Sequence, residues 1–257
     1  MHSPPKTREN IRALLVQARL PGCPTAKHEL ECFASTSRLP IDQITIVDAL
    51  NKRLTDLQIE QYDLLFIGGA GDYSVVGARE EWLEDLIRHL RHAIELNIPT
   101  FGSCFGLQML CVAWGGTVDN LGANSAEIGT CDLELTASGL IDPLFGRLGA
   151  RFTAQQGHND CVTVLPEEMT VLARSEKVGV QAIKIKDRPV YATQFHPEMT
   201  VDDNRFRYEH YVENYSSEPK DVDRIRSSFR GSPEANQLLG WFVEDVVLHH
   251  GAGKDAR

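Results

Sequence analysis

The sequence predicts an α/β fold: a mostly parallel central sheet flanked by helices, with a smaller antiparallel β portion. Three observations carry that class. In the first half, short β-type apolar runs alternate with longer helical stretches, the order that builds a parallel sheet covered on both faces. One of those runs leads straight into Gly102-Ser103-Cys104-Phe105-Gly106, after which a helical pattern begins. Beyond residue 125 the texture changes to closely spaced short strands and turns.

Residues 11–16 read as a first strand and 26–34 as a helix; 44–47 form a second strand. Residues 63–67 form a third strand, which stops at Gly68-Gly69. Across 80–96, apolar residues stand at 82, 83, 86, 87, 90 and 94 with charges between them, a helical spacing. The next strand, 98–101, delivers Cys104. Short strands follow at 127–135, 152–156, 161–165, 170–173 and 181–185. Lys186-Asp187-Arg188-Pro189 is a turn into a strand at 190–194. Residues 201–233 are polar, aromatic and charged with no single period, and Pro233 precedes a closing helix at 235–248. No repeat, low-complexity tract or interdomain linker interrupts the chain. Residues 1–257 therefore read as one domain, with a core at about 11–200 and an extra segment plus closing helix at 201–257.

The 257 residues suffice to bury a substantial core, and 42% hydrophobic with 24% charged residues is ordinary for a globular protein. A formal charge of −10 argues against a surface that tracks nucleic-acid phosphates. Residues 1–10 lack the apolar stretch of a signal peptide, and no run reaches the length of a membrane span. Six cysteines at irregular spacings, with no CxxC pair, point to reduced thiols in the cytoplasm and away from zinc.

Glycines two before and two after Cys104 are what a tight strand-to-helix turn requires, because the backbone reverses where a Cβ would collide. Such a turn places Cys104 at a helix N-terminus, where partial positive charge favours a thiolate and a neighbouring oxyanion. The competing reading is a buried structural cysteine beside turn glycines; Cys23, Cys32, Cys111, Cys131 and Cys161 fit that description. A matching base lies downstream, in Gln194-Phe195-His196-Pro197-Glu198. Cysteine catalysis needs an imidazole as proton acceptor and a third group to orient it. His196 and Glu198 are two apart, so an extended backbone puts them on one side, and Pro197 restricts the segment to that conformation. An incidental histidine at a strand end is the alternative, with nine histidines in the chain. The third feature is Gly68-Gly69-Ala70-Gly71-Asp72. Glycines after a strand bring N–H groups close to a ligand oxygen, as an oxyanion hole requires. A plain tight turn explains the same residues, whereas a Walker A loop is excluded because no Lys-Ser/Thr follows.

The order Gly-Gly loop, Gly-x-Cys-x-Gly-x-Gln and His-Pro-Glu resembles the class I (triad) glutamine amidotransferases over about residues 11–200. It is most similar to the glutaminase portion of GMP synthase and its stand-alone relatives, a branch that Gln156-Gly157-His158-Asn159-Asp160 also resembles. The resemblance implies a flavodoxin-like fold with Cys104 as nucleophile, His196 as general base and acid, and Glu198 as its orienting group. It further implies that the N–H groups of Gly69 and Phe105 hold the oxyanion. Gln108 would contact the substrate amide side chain, and the His158-Asn159 backbone would line the α-amino and α-carboxylate end. Gly157, Asn159 and Ala70 depart from the family's usual Ser, Gly and Pro. The implied reaction forms a γ-glutamyl thioester on Cys104, releases ammonia and needs neither cofactor nor metal.

Three functions are compatible with these residues. The chain supplies ammonia to a separate ATP-dependent synthetase, since no ATP-binding loop is present in it; or it is a stand-alone γ-glutamyl hydrolase or peptidase; or it is a non-catalytic relative that binds a ligand or partner. The aromatic and basic stretch containing Arg205, Phe206, Arg207, Tyr208, Tyr211 and Tyr215 offers a partner surface, a lid over an unusual γ-glutamyl substrate, or a solvated packing segment.

Overall fold

The computed structural model describes residues 6–20, 22–51, 59–77, 80–212 and 219–250. Among them, nine strands form one sheet and two more form a small separate one. The first half alternates β1 (Ala13–Gln17), α1 (Pro24–Ser37), β2 (Ile44–Asp48), β3 (Leu64–Ile67), α2 (Glu81–Glu95), β4 (Thr100–Ser103) and α3 (Phe105–Ala113). The strand-rich part follows, with β5 (Thr117–Asn120), β6 (Glu127–Leu135), the short helix α4 (Ala137–Ile141), β7 (Arg151–His158), β8 (Asp160–Val164), β9 (Met169–Arg174), β10 (Ala182–Ile185) and β11 (Val190–Thr193). The helices α5 (Val201–His210), α6 (Pro219–Ser228) and α7 (Leu238–Phe242) come last.

The sheet order is β2-β1-β3-β4-β11-β10-β9-β6-β7. From β2 to β11 the neighbours run parallel, and from β11 to β7 they run antiparallel. The expected mostly parallel centre is therefore present, but the antiparallel part extends the same sheet; only β5 and β8 pair apart from it. The strands β1, β3, β4 and β11 are buried at every position, as parallel strands covered on both faces must be. One face packs against α2 and α3 through Leu83, Leu86, Ile87, Leu90 and Leu110. The other meets α1 and the C-terminal helix through Phe33, Leu238, Leu239 and Phe242.

The structure departs from the sequence reading at β5, at the short helix α4, across the region without a period and in the closing helix. The strand β5 is absent from that reading because Thr-Val-Asp-Asn shows no alternation; its edge is completed only by pairing with β8. The region without a period contains α5 and α6. α5 starts in a capping box, with the Thr200 hydroxyl accepting from the Asp203 N–H and the Asp203 carboxylate accepting from the Thr200 N–H. Its apolar period is hidden because the face it buries carries Asn204, Arg207 and Tyr208. The closing helix is not uniform: a 3₁₀ turn (Ala235–Gln237) leads into α7, and a π turn (Val243–Val247) ends it. Tyr215 lies outside the described residues. No helix among the described residues is long and apolar enough to cross a membrane.

Candidate active site

Cys104 sits between β4 and α3 with φ 53° and ψ −100°. That conformation costs a non-glycine residue about 1–3 kcal/mol and persists only where the surroundings impose it. Here they do. A Cβ on Gly102 would lie 2.7 Å from the Gly106 carbonyl carbon, and one on Gly106 would lie 2.5 Å from the Ile67 oxygen. The two glycines thus allow α3 to begin directly over β3 and β4. The Cys104 N–H donates to the Thr193 carbonyl at 2.7 Å, tying the turn to the end of β11.

β11 runs beside β4 with Thr193 opposite Ser103, so the residues that follow it arrive beside the elbow. His196 is buried there, its N–H donating to the Gln155 carbonyl at 2.9 Å. Its Nδ1 lies 2.7 Å from Glu198 Oε1, which leaves Nε2 for the thiol side. Burial pulls the His196 pKa down, but the Glu198 carboxylate and the Cys104 thiol outweigh it and raise it to about 9. Glu198 has no exposed surface; burial pushes its pKa up, and His196, Arg207 and the Ser103 hydroxyl more than reverse this, leaving it low. The imidazolium is thus favoured by folding. Its contribution to stability is complete below the unfolded value near 6.5 and vanishes as pH rises through about 9. Thermal midpoints of the wild type and His196→Asn are expected to converge from pH 6.5 to pH 9. A constant gap across that window would contradict the assignment.

The other thiols divide in two. Burial pushes Cys111 and Cys131 up to about 12 and also raises Cys32 and Cys161, in keeping with structural thiols. Cys23 and Cys131 are both half-buried, not buried as expected, and of the two Cys23 departs further. The upward push of its burial is outweighed by bonds to Thr25 and Tyr211 and by the Arg19 charge, so its pKa is lowered.

The glycine loop after β3 reaches the same place, with a Cβ on Gly69 only 3.6 Å from His196 Cε1. The Gly69 N–H, however, does not face an open oxyanion position. It donates at 2.9 Å to Oε1 of Glu29, a fully buried carboxylate on α1. Glu29 also pairs with Arg19 at 2.6 Å and Arg207 at 3.5 Å, and it accepts from Gln17 at 2.9 Å. Burial disfavours the Glu29 charge, but the two guanidiniums and the Gly69 N–H prevail and hold its pKa low. In this conformation the Gly69 N–H is thus held by a buried carboxylate that has two guanidiniums behind it. Phe105 is the first residue of α3, so its N–H has no helical acceptor.

A cavity of about 710 Å³ opens over these groups. Gly69, Cys104, Phe105, Gln108, His158, Asn159 and His196 all line it, whereas Glu198 stands behind His196. Gln108 Nε2 donates to the Asp160 carbonyl (3.1 Å) and to Gln194 Oε1 (3.3 Å), so its amide is anchored in the wall. His158 Nδ1 lies 3.0 Å from the Asp160 carbonyl and its Nε2 3.4 Å from Glu127, while the Asn159 carbonyl accepts from Ser125 at 2.6 Å. Sequence reasoning gave no role to Ser103, Gln194, Glu29 or Arg19, and placed Arg207 only in a stretch offered as a partner surface, a lid or a packing segment. Gln194 Nε2 reaches Cys104 Sγ at 3.5 Å, and its place beside Phe195-His196 was its only signal. Ser103 stood beside Cys104, whereas Glu29, Arg19 and Arg207 are brought together by packing between distant elements.

Among the described residues, His28, Cys32 and Asp203 are close enough to suggest a metal. Arg207 Nε donates to His28 Nδ1 at 3.4 Å, which puts the ring proton on Nε2, facing Asp203 Oδ1 at 3.0 Å. That proton occupies the lone pair an ion would need, so the group is a hydrogen-bonded link between α1 and α5.

The doubly covered sheet and the cysteine elbow with His196 and Glu198 beside it define an α/β protein with a candidate nucleophile at a strand-to-helix turn. The pattern of the class-I glutamine amidotransferases matches residues 35–211. The chain belongs to that family. It is 30% identical to one subunit of the glutamine-hydrolyzing GMP synthase of Methanococcoides burtonii over 165 residues, 63% of this chain and 78% of that one. It is 39% identical to the glutamine-hydrolyzing GMP synthase of Thermosipho melanesiensis over 109 residues, 42% of this chain but 20% of that protein. A glutamine amidotransferase from Thermotoga maritima has the same fold, with TM-score 0.69 and 22% identity over 91% of this chain and 97% of its own.

Proposed function

We propose that this chain hydrolyses the side-chain amide of glutamine through a thioester on Cys104 and supplies the ammonia to a separate ATP-dependent synthetase. The observation that carries the reading is the strained Cys104 beside the buried His196–Glu198 pair, on the wall of one cavity. Cys104 Sγ attacks the amide carbon and the C–N bond breaks. His196, protonated when the thiol ionises, gives that proton to the departing nitrogen, and ammonia leaves. His196 then takes a proton from water, whose oxygen attacks the thioester carbon. The C–S bond breaks, glutamate leaves, and the thiol recovers its proton. The Phe105 N–H is the donor at hand for the oxyanion, and Gly69 joins it once its peptide turns from Glu29. Gln108 contacts the substrate amide side chain, and the backbone of His158 and Asn159 lines its α-amino and α-carboxylate end. The Methanococcoides burtonii relative is one subunit of a GMP synthase, which supports a partner enzyme, and six free thiols fit a cytoplasmic location.

A second reading, a γ-glutamyl hydrolase, is favoured by the cavity. At about 710 Å³ it falls in the range of about 300–1,000 Å³ that encloses drug-sized ligands, and α5 adds Asn204, Arg207 and Tyr208 to its wall. A panel of glutamine, γ-glutamyl peptides and glutathione conjugates separates the two. Turnover of glutamine that rises when a synthetase partner is added is the expected result. Efficient cleavage of γ-glutamyl peptides with negligible release of ammonia from glutamine would sink the ammonia-donor reading.

A further inference from the structure

We propose that Ser103 is a positioning residue whose buried hydroxyl fixes the Glu198 carboxylate, and through it the His196 ring. The proposal rests on the reading of Cys104, His196 and Glu198 as the reacting group. Ser103 is the last residue of β4 and has no exposed surface. Its Oγ donates to Glu198 Oε2 at 2.7 Å, while Glu198 Oε1 faces His196 Nδ1 at 2.7 Å. The hydroxyl has one proton to give, and it goes to Glu198, because His196 Nδ1 lies farther off at 3.4 Å and is itself a donor to the carboxylate.

A carboxylate held through one oxygen is free to rotate about its terminal bond. With Ser103 on one oxygen and the imidazole on the other, its plane is set, and the plane of the ring with it. The anchor is also next in sequence to the candidate nucleophile. Ser103 pairs with Thr193 in the sheet, and Cys104 bonds the carbonyl of the same Thr193. One strand end therefore fixes both the thiol and the group that orients its base. The other charged or titratable groups bearing on Glu198 are His196, Arg207 of α5 and the Cys32 thiol of α1; on His196 they are Glu198 and Cys104. Ser103 is neutral, unlike His196 and Arg207, so its removal tests geometry without deleting a charge.

Ser103→Thr and Ser103→Val test the proposal, since the two side chains have the same shape and differ in the hydroxyl. The readouts are kcat and KM on the γ-glutamyl amide that the wild type cleaves, and the rate of Cys104 alkylation by iodoacetamide against pH. The Val variant is expected to fall about tenfold below Thr in kcat with KM within about twofold, the order that a hydrogen bond to a charged group carries. Its alkylation midpoint should move to higher pH, because a less well-held carboxylate supports the imidazolium less. Ser103→Ala adds no volume and carries the same expectation against the wild type, so it decides the matter if the larger residues do not fold. Equal kcat and equal alkylation profiles for Thr and Val, or for Ala and wild type, would overturn the proposal. Failure of the catalytic reading looks different. Cys104→Ala would then keep its turnover, whereas the alkylation contrast at Ser103 requires no substrate.

Discussion

Cys104→Ala is expected to lower amide hydrolysis about 10⁶-fold, to the background of assay, the order seen when a nucleophile–base pair loses either member. The loss is chemical. No other thiol among the described residues lines the cavity, and the Cys104 Sγ is the atom that meets Gln194 Nε2 and raises the His196 pKa. Alanine keeps the Cβ and therefore the same strained backbone, so the elbow, its bond to Thr193 and the thermal midpoint should change little. Glutamine binding, measured by calorimetry, is expected to survive because Gln108, His158 and Asn159 are untouched. A variant that retained more than about a hundredth of wild-type turnover would remove Cys104 from the mechanism, because loss of a nucleophile costs far more than that.

Glu29→Ala is expected to be the most destabilising single change near the site, by about 3–5 kcal/mol, the cost of leaving buried charges without their partner. The Arg19 and Arg207 side chains are 4% and 7% exposed, and both pair with Glu29. The Gly69 N–H and the Gln17 amide lose an acceptor at the same time. Urea titration of Glu29→Ala and Glu29→Gln gives the measurement. The Gln variant, which keeps an oxygen for Gly69 but no charge for the guanidiniums, should fall between wild type and Ala. A loss below about 1 kcal/mol in the Ala variant would mean that water replaces the carboxylate, as at an exposed ion pair.

Legibility in the sequence followed the range of the interaction. The elbow was readable because its cause is local: Gly102 and Gly106 stand where neighbouring backbone leaves no room for a Cβ. His196 and Glu198 were readable because they stand two apart, although the segment that aligns them is a turn, closed by the Met199 N–H on the His196 carbonyl at 3.3 Å, and not the extended chain that the spacing predicts. The strands β1 and β3 announced themselves as short apolar runs, and α2 by its period, while β4 lies two residues later than the expected 98–101. By contrast, α5 buries Asn204, whose amide reaches the Gly129 and Gln156 carbonyls and Gln155 Oε1; a polar residue in a core position erases the period that marks a helix. β5 depends on a partner 40 residues downstream, as in the pair Asn120 and Asp160.

By itself, then, the sequence determined the alternating α/β class, the nucleophile turn and the His-Pro-Glu segment, since each rests on backbone geometry within a few residues. Only the tertiary structure decided what each group faces. It gave the Gly69 N–H to Glu29, set Ser103 against Glu198, and brought Arg207 of α5 to the cavity wall. Those partners lie 40, 95 and more residues apart in the chain. Burial selects among them, because a charge or donor removed from water must find its complement wherever the fold supplies one.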